Sequence, residues 1–542
     1  MTPHPKGTRA RVLLSSVFGP YAQDDGFGSR AINPMELYHN QVTRVQGEFS
    51  LRMFHRSWGI QMIQENISAP CTVLDFPTRQ RFADELRRHR YDVVGISAIV
   101  ANVGKVEEMC RMARALAPQA TLVVGGHVSA IPGLEARLDA DHLVRGDGIA
   151  WMRAFLGEPV DAPIRHPPIV SAFGVRALGL RTLQRRGETA ATIITSVGCP
   201  MGCNFCATSA FFGGRGRLTH FLKDADEIFA VMGDAERRLG VHSFFMMDEN
   251  FLLFRPRALR LLELMERHGK GWSLYVFSSA HALAKYSTDE LVRLGISWVW
   301  IGVESPRASY AKLKGADTQA LVARLRDNGI RVLASSIIGL EHHTLDNIDE
   351  DIAHAVGHAA DFHQFMLYTP VPGTPLHHEM AEAGRLLPVD LADIHGQFRL
   401  SFRHPAITPE QSEALLTRAF VRDFEQNGPS LFRICETSYR GWLRHRNHAD
   451  GRVRARMARE RRGLGAHAVL LRAMERRLNG HGATADVTRR IARLRADIER
   501  TMGVGTRLTA RLAGPLLAWT SAREARRLAA GVTYEPRTFV ER

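Results

Sequence analysis

The reading of the chain turns on Thr195-Ser-Val-Gly-Cys-Pro-Met-Gly-Cys-Asn-Phe-Cys206. Its three cysteines, Cys199, Cys203 and Cys206, stand in a C-x3-C-x2-C spacing. Three thiolates on a short loop can hold three irons of a cubane cluster and leave the fourth iron open. A closed structural zinc site takes a fourth protein ligand, and iron–sulfur clusters are normally held by four cysteines. The trio therefore points to a metal centre with a vacant position, while by itself allowing zinc or iron. Phe205 sets an apolar ring beside the last cysteine.

Around this loop the chain alternates strand and helix. From residue 191 the strand candidates are Thr192–Ser196, His242–Met247, Ser273–Ser278, Trp298–Val303, Val332–Ile338 and His363–Tyr368. Helical patterns separate them. One opens on the capping box Ser287-Thr-Asp-Glu290 and stops at Gly295. Six strand–helix units in succession predict a partial (β/α)6 barrel over 191–400, short of the eight that close a complete barrel. The cysteine loop follows the first strand, at the end where such architectures place chemistry. Tyr275 and Tyr368 lie in strands, but period alone leaves their direction open.

Upstream, residues 1–165 read as a doubly wound parallel sheet of the flavodoxin or Rossmann-like kind. Its strands are predicted at Arg11–Val17, Cys71–Phe76, Asp92–Ser97, Thr121–Gly125 and His142–Val144, apolar runs without strict alternation. Ligands of such sheets bind beyond the carboxyl ends of the strands. Ser97, Gly125-Gly126 and Arg145-Gly-Asp-Gly148 fall there. Residues 20–47 lack periodicity and read as a long loop or small insertion. The proline-rich 166–190 reads as a linker. Residues 401–542 predict a basic α-helical domain, with helices at Pro409–Asn427, Leu431–Asn447, Arg452–Arg462, Ala466–Leu478 and Ala485–Met502. A last segment, Leu508–Ala530, is interrupted at Pro515. It suits a helix on a membrane surface, with Leu516, Leu517 and Trp519 in the lipid and arginines outward, or else a packed terminal helix pair.

Composition bounds the setting. The net charge is +15, and residues 441–542 carry 23 arginines against 9 Asp and Glu, so the excess sits almost wholly in that tail. A basic tail suits an anionic partner, although only 7 of the 71 basic residues are lysine, which points equally to a plain compositional bias. No run approaches the ~18 apolar residues of a membrane span. The start lacks the apolar region of a secretory signal, so the expected location is cytoplasmic, with the basic helices allowing contact with the inner face of the membrane. Of the six cysteines, Cys71, Cys110 and Cys435 read as small buried hydrophobes rather than a disulfide framework.

The cysteine loop, with an aromatic before its last cysteine and six strand–helix units behind it, resembles the radical S-adenosylmethionine superfamily. Further segments match at strand ends: Asp248-Glu-Asn-Phe251, Ile301-Gly-Val-Glu-Ser305, Ser336-Ile-Ile-Gly339 and Thr369-Pro-Val-Pro-Gly-Thr-Pro375. The resemblance implies a [4Fe-4S] cluster on Cys199, Cys203 and Cys206, S-adenosylmethionine on its open iron, and a 5′-deoxyadenosyl radical that takes hydrogen from an unactivated carbon. It further implies Phe205, Glu249, Ser278, Glu304, Ser336 and Ile338 as S-adenosylmethionine contacts, Glu249 for the amino group and Glu304 for the ribose. The catalytic residues beyond these stay unassigned.

The upstream domain resembles the cobalamin-binding domain of a subgroup of that superfamily. This implies Ser97, Ala98, Gly125, Gly126, His127, Gly146, Asp147 and Gly148 as the cobalamin edge. Where many such domains carry a cobalt-ligating histidine, this chain reads Phe18-Gly-Pro-Tyr-Ala-Gln-Asp-Asp-Gly-Phe-Gly-Ser29. A second departure, Gly339-Leu-Glu-His-His-Thr344, leaves His342 and His343 at the active-site end, read as a surface-loop pair or else as functional residues. The implied reaction is C-methylation of a lipid or secondary metabolite, with cyclisation or carbon–carbon coupling as the rival. The implied partners are a small-molecule or lipid substrate and a one-electron donor such as flavodoxin or ferredoxin. A tRNA methylthiotransferase needs a second cysteine trio that residues 1–190 lack, so nucleic acid is not expected. A corrinoid sensor has no use for an open iron, and a zinc module lacks a nearby fourth ligand.

Overall fold

Val12-Leu-Leu-Ser-Ser16 is buried along its whole length, a state open only to a strand covered on both faces. It is β1, the centre of a parallel sheet in a computed structural model that describes residues 2–19, 35–171, 175–182, 189–305, 307, 310–313, 316–478, 484–532 and 537–542. Around it lie β2 (Cys71–Asp75), β3 (Val93–Ser97), β4 (Thr121–Gly125) and β5 (His142–Leu143), in the order β2-β1-β3-β4-β5. Register sets Ser16 opposite Ser97, and Ser97 opposite Gly125, so these three residues share one row at the carboxyl edge.

The second sheet carries β6 (Ile169–Val170), β7 (Ala191–Ile193), β8 (Ser243–Met246), β9 (Ser273–Ser279), β10 (Ile296–Gly302), β11 (Arg331–Ile338) and β12 (Phe362–Leu367) in chain order. β7 to β12 are parallel, and β6 adds antiparallel to the β7 edge. The barrel is open. Its gap is bridged by residues 35–58, of which 35–47 belong to the stretch read from sequence as a long loop or small insertion. Leu37–Val42 forms a single π-helical turn. Tyr38 packs on Phe362 of β12, with ring centroids 5.4 Å apart, and His55 Nδ1 lies 2.7 Å from the Ser171 carbonyl beside β6. Residues 20–34 of that predicted loop lie outside the described residues, as does most of the stretch without the expected histidine.

Two further expectations change. The stretch 166–190 is more than a linker: besides β6 it holds the strands Val175–Ala177 and Leu180–Thr182, which pair with each other, the first also with Arg52–Met53. Its prolines break long elements but leave room for two- and three-residue ladders. The carboxyl-terminal part is not helical throughout, because β13 (Phe539–Glu541) runs back to pair antiparallel with β2. The helices before it are Pro409–Asn427, Ser430–His445, Gly451–Leu478, Ala485–Met502 and Val504–Ala529. Two predicted helices thus merge across Gly463 and Gly465, and Pro515 sits inside a continuous helix. In both cases packing on neighbouring helices outweighs a local cost of ~1–3 kcal/mol.

Candidate active site

The cysteine loop leaves β7 and is tied at its base by an antiparallel pair, Ser196–Val197 with Thr219–His220. Cys206 caps the short helix Ala207–Phe211. Its amide donates to the Cys203 carbonyl at 3.0 Å, and its Sγ accepts from the Ser209 amide at 3.4 Å. Ser209 Oγ donates to the Cys199 carbonyl at 2.8 Å. One short segment thereby holds all three cysteines. Each is half-buried. Burial pushes the Cys199 thiol up to about 11 and raises Cys203 and Cys206 as well. Neutral buried thiols are poor nucleophiles. As metal ligands they fit, since a bound cation displaces their protons.

Two carboxylates border the loop. Glu249 follows β8, and burial together with the adjacent Asp248 charge pushes its carboxyl up to about 7. Asp248 itself is committed to structure, accepting from Thr195 Oγ1 and Arg257, both at 2.5 Å. Glu304 follows β10 with φ +33°, a left-handed conformation costly for a side-chain-bearing residue. One carboxylate oxygen meets Lys312 Nζ, while Oε2 is buried without a partner among the described residues. A Cβ at Gly302 would fall 2.5 Å from the Glu304 carboxylate, so a side chain there would displace that group. Lys312 lies 5.3 Å from the Phe205 ring centroid. Burial works against its charge, but Glu304 and Cys203 beside it hold its pKa above the ordinary lysine value. Phe205 meets Tyr310 and Tyr368 edge-on at 5.4 and 6.0 Å, and Asn204 Nδ2 donates to the Tyr368 hydroxyl at 3.0 Å. Lys312 and Tyr310 are missed by a reading that follows strand ends, because they sit in the connection after β10.

The remaining predicted contacts divide by strand period. Ser278, half-buried, donates to Asn250 Oδ1 at 3.4 Å, at the mouth. Ser336 and Ile338 turn their side chains outward into the helix layer, which leaves only their backbone to face the barrel mouth. Ser336 Oγ lies 3.1 Å from His363 Nε2, and the His363 ring stacks on Phe365 toward helix Pro409–Asn427. Ile338 is buried in the same layer. The inward positions of β11 and β12 are Ser335 and Gln364. Trp300 Nε1 donates to Ser335 Oγ at 2.6 Å, which donates to Gln364 at 2.8 Å, whose amide donates to Gln41 at 2.9 Å. His342 and His343 are a further correction. His342 is exposed, but His343 is fully buried. Its Nδ1 accepts from the Gly339 and Leu340 amides at 3.0 and 3.2 Å, so Nε2 carries the proton and donates to Asp351 at 2.6 Å. His342, His343 and Asp351 lie close enough to suggest a metal site. The proton on Nε2 makes the pair a structural brace instead.

On the first sheet, Ser97, Ala98, Gly125 and Gly126 do meet at one edge. A Cβ at Gly126, where φ is +79°, would fall 2.6 Å from the Ala98 carbonyl. Asp147 caps helix Gly148–Phe155, accepting from the Ile149 and Ala150 amides at 2.9 and 3.2 Å, so its carboxylate is partly spent on the helix. A Cβ at Gly148 would press on Ile63 at 3.0 Å. Gly146 lies near Phe211, where a Cβ would stand 3.9 Å from the carbonyl. His127 stacks on that same Phe211 at 4.7 Å, and its Nε2 is buried without a partner among the described residues. Burial pushes its pKa down, so the ring is neutral. The sheet edge therefore abuts the helix that begins at Cys206.

A cavity of about 1140 Å³ joins the two halves. Ser16, Ser97, Gly126 and His127 line it on the sheet side, and Phe245, Tyr275, Phe277, Trp298, Trp300 and Phe362 on the barrel side. Tyr275 thus faces inward, and its hydroxyl pairs with that of Tyr38. The floor belongs to the carboxyl-terminal helices. Leu431 and Ile434 are apolar, Arg331 pairs with Glu460 at 2.7 Å, and His467 keeps a buried Nδ1 without a partner among the described residues. A thiol trio with an open side, orphan polar atoms on Glu304 and His127, and a glycine-walled sheet edge on a large apolar cavity fit a cluster, a nucleoside-bearing cofactor and a corrin.

Comparison with known proteins agrees. Residues 193–355 match the radical SAM superfamily, and residues 53–156 match the B12 binding domain. An uncharacterized methyltransferase of Pyrococcus horikoshii is 25% identical over 364 residues, 61% of this chain and 78% of the relative. Bacteriochlorophyllide d C-12(1)-methyltransferase of Chlorobaculum tepidum is 30% identical over 213 residues, 38% of this chain and 45% of the relative. Among solved structures, the radical S-adenosylmethionine methyltransferase TsrM from Kitasatospora setae, with cobalamin and a [4Fe-4S] cluster bound, superposes with a TM-score of 0.52 at 18% identity. That match covers 84% of this chain and 99% of the other.

Proposed function

We propose that this chain, a radical S-adenosylmethionine enzyme with a B12-binding domain, methylates an unactivated carbon of a large, mostly apolar substrate. The observation that carries the reading is the aromatic-walled cavity of about 1140 Å³ running from the sheet edge through the barrel. Such a volume exceeds the ~300–1,000 Å³ of ordinary ligand pockets. The named substrate of the Chlorobaculum relative, a bacteriochlorophyllide, is likewise large. When bound, the cluster and S-adenosylmethionine supply a 5′-deoxyadenosyl radical, and cobalamin supplies the methyl group.

The chain's own residues divide the remaining work. Cys199, Cys203 and Cys206 hold the cluster. Glu249, beside Cys199 and Cys206, accepts the amino group of methionine, and Glu304 Oε2 takes a ribose hydroxyl while Lys312 fixes the other oxygen. Phe205 and Tyr310 shield this corner from water. Ser97, Ala98, Gly125, Gly126 and His127 form the corrin-facing edge, and Gly146 and Gly148 let the backbone close in beside it. The apolar walls exclude water, and the polar floor of Arg331, Glu460 and His467 suits a polar end on an otherwise apolar substrate. Electrons come from a small donor protein of the flavodoxin or ferredoxin type.

The test is profiling of apolar extracts from wild-type and deletion strains fed methyl-deuterated methionine. A species lost from the deletion strain, carrying labelled methyl in the wild type, supports methylation. An unlabelled lost species lighter by two hydrogens than its precursor overturns it in favour of cyclisation or coupling.

A further inference from the structure

Helix Val504–Ala529 has two dissimilar faces. Ala510, Gly514, Ala518, Ser521 and Glu524 are buried against the rest of the carboxyl-terminal bundle. Opposite them run Val504, Leu508, Leu512, Leu516 and Trp519, spaced four, four, four and three residues apart and each between 56% and 77% exposed. One helix thus holds five of the eleven exposed large hydrophobic residues described, the other six being scattered over the chain. Scattered exposure needs no explanation, but a contiguous ridge marks an interaction site. Leu517, which the sequence pattern groups with Leu516 and Trp519, is half-buried and packs on the core of the bundle instead.

The charge around the ridge selects the occupant. Arg507, Arg511, Arg523 and Arg526 are exposed on or beside it and form no ion pair among the described residues. The one acid of the helix, Glu524, faces inward and holds Arg176 at 2.9 Å. A second copy docking ridge to ridge would set arginine against arginine. An anionic bilayer meets both features, taking the apolar side chains among its acyl chains and the arginines at its headgroups. No helix of the described residues is long and apolar enough to cross a membrane, so the contact is a surface one.

The inner face of the same helix reaches the cavity. Arg176 and Leu178 belong to the short strand pair over 175–182, and Thr520 Oγ1 donates to the Leu178 carbonyl at 3.2 Å. Val175, at the start of that pair, lines the cavity. We propose that the Val504–Trp519 ridge docks this protein on an anionic lipid surface, with the cavity wall braced directly behind it.

The experiment is vesicle co-sedimentation of the full-length protein, independent of any substrate. Vesicles of phosphatidylcholine with roughly 30% phosphatidylglycerol are compared with pure phosphatidylcholine. The expected result is binding at least about tenfold stronger to the anionic vesicles and weakened by salt. Leu512→Glu with Trp519→Glu, both at exposed positions, removes it while the circular dichroism spectrum and elution volume stay those of the wild type. Equal sedimentation of wild type and variant, or none of either, overturns the proposal. So does a concentration-dependent dimer that the double variant dissolves, which would make the ridge a self-association face.

Discussion

The smallest features set the sharpest constraints. Replacing Cys203 by Ala leaves two thiolates, too few to anchor the cluster. The variant is expected to reconstitute with little iron and to release no 5′-deoxyadenosine, read by iron analysis and chromatography under reducing conditions. Gly126→Ala probes the other cofactor. Its methyl would fall 2.6 Å from the Ala98 carbonyl in a conformation that disfavours any side chain. The expected outcome is cobalamin binding weakened by about tenfold or more, a loss of ~1.4 kcal/mol, read by absorbance titration. At this scale the sequence was informative about residue type and poor about direction. The cysteine spacing and Glu304 stand out in the bare chain. Ser336 and Ser335 are neighbours of the same type, and only the pairing of β11 with β12 sends one outward to His363 and the other inward to Trp300. His343 likewise reads as a loop residue until Asp351 and two backbone amides close around it.

Elements follow local pattern where a segment is apolar throughout and depart from it where neighbours decide. The six parallel strands of the barrel all appear within a few residues of their predicted bounds, because apolar runs between capped helices have few alternatives. Gly463 and Gly465 read as a break, yet helix Gly451–Leu478 passes through them because it packs on helices Ala485–Met502 and Val504–Ala529. The helix keeps the local cost, and the cost can be recovered. A Cβ at Gly465 meets no atom within 4 Å. Gly465→Ala is therefore expected to stabilise the protein by ~0.5–1 kcal/mol, seen as a higher midpoint in thermal unfolding. A fall in the midpoint would mean that the glycine serves the packing of the helix.

At the scale of the molecule, sequence neighbours and spatial neighbours part company. β13, at the far end of the chain, pairs with β2 of the first sheet, and Glu541 meets Arg56 at 3.0 Å. Deleting residues 537–542 is expected to lower the thermal midpoint of the amino-terminal domain and to promote association through the bared β2 edge, read by calorimetry and light scattering. Unchanged behaviour would show that the strand is ornamental to the sheet. The sequence by itself determined the parallel sheets, the three-cysteine loop and the class of chemistry. These rest on contiguous residues whose spacing, burial period and ligand type carry physical meaning before any folding. Only the tertiary structure decided how residues 35–58 bridge the gap of the open barrel, how the sheet edge meets the helix at Cys206, and that both share one cavity floored by the carboxyl-terminal helices. Those outcomes depend on contacts between segments from about 80 to more than 300 residues apart, and chain closure over such distances leaves no periodic trace in the sequence.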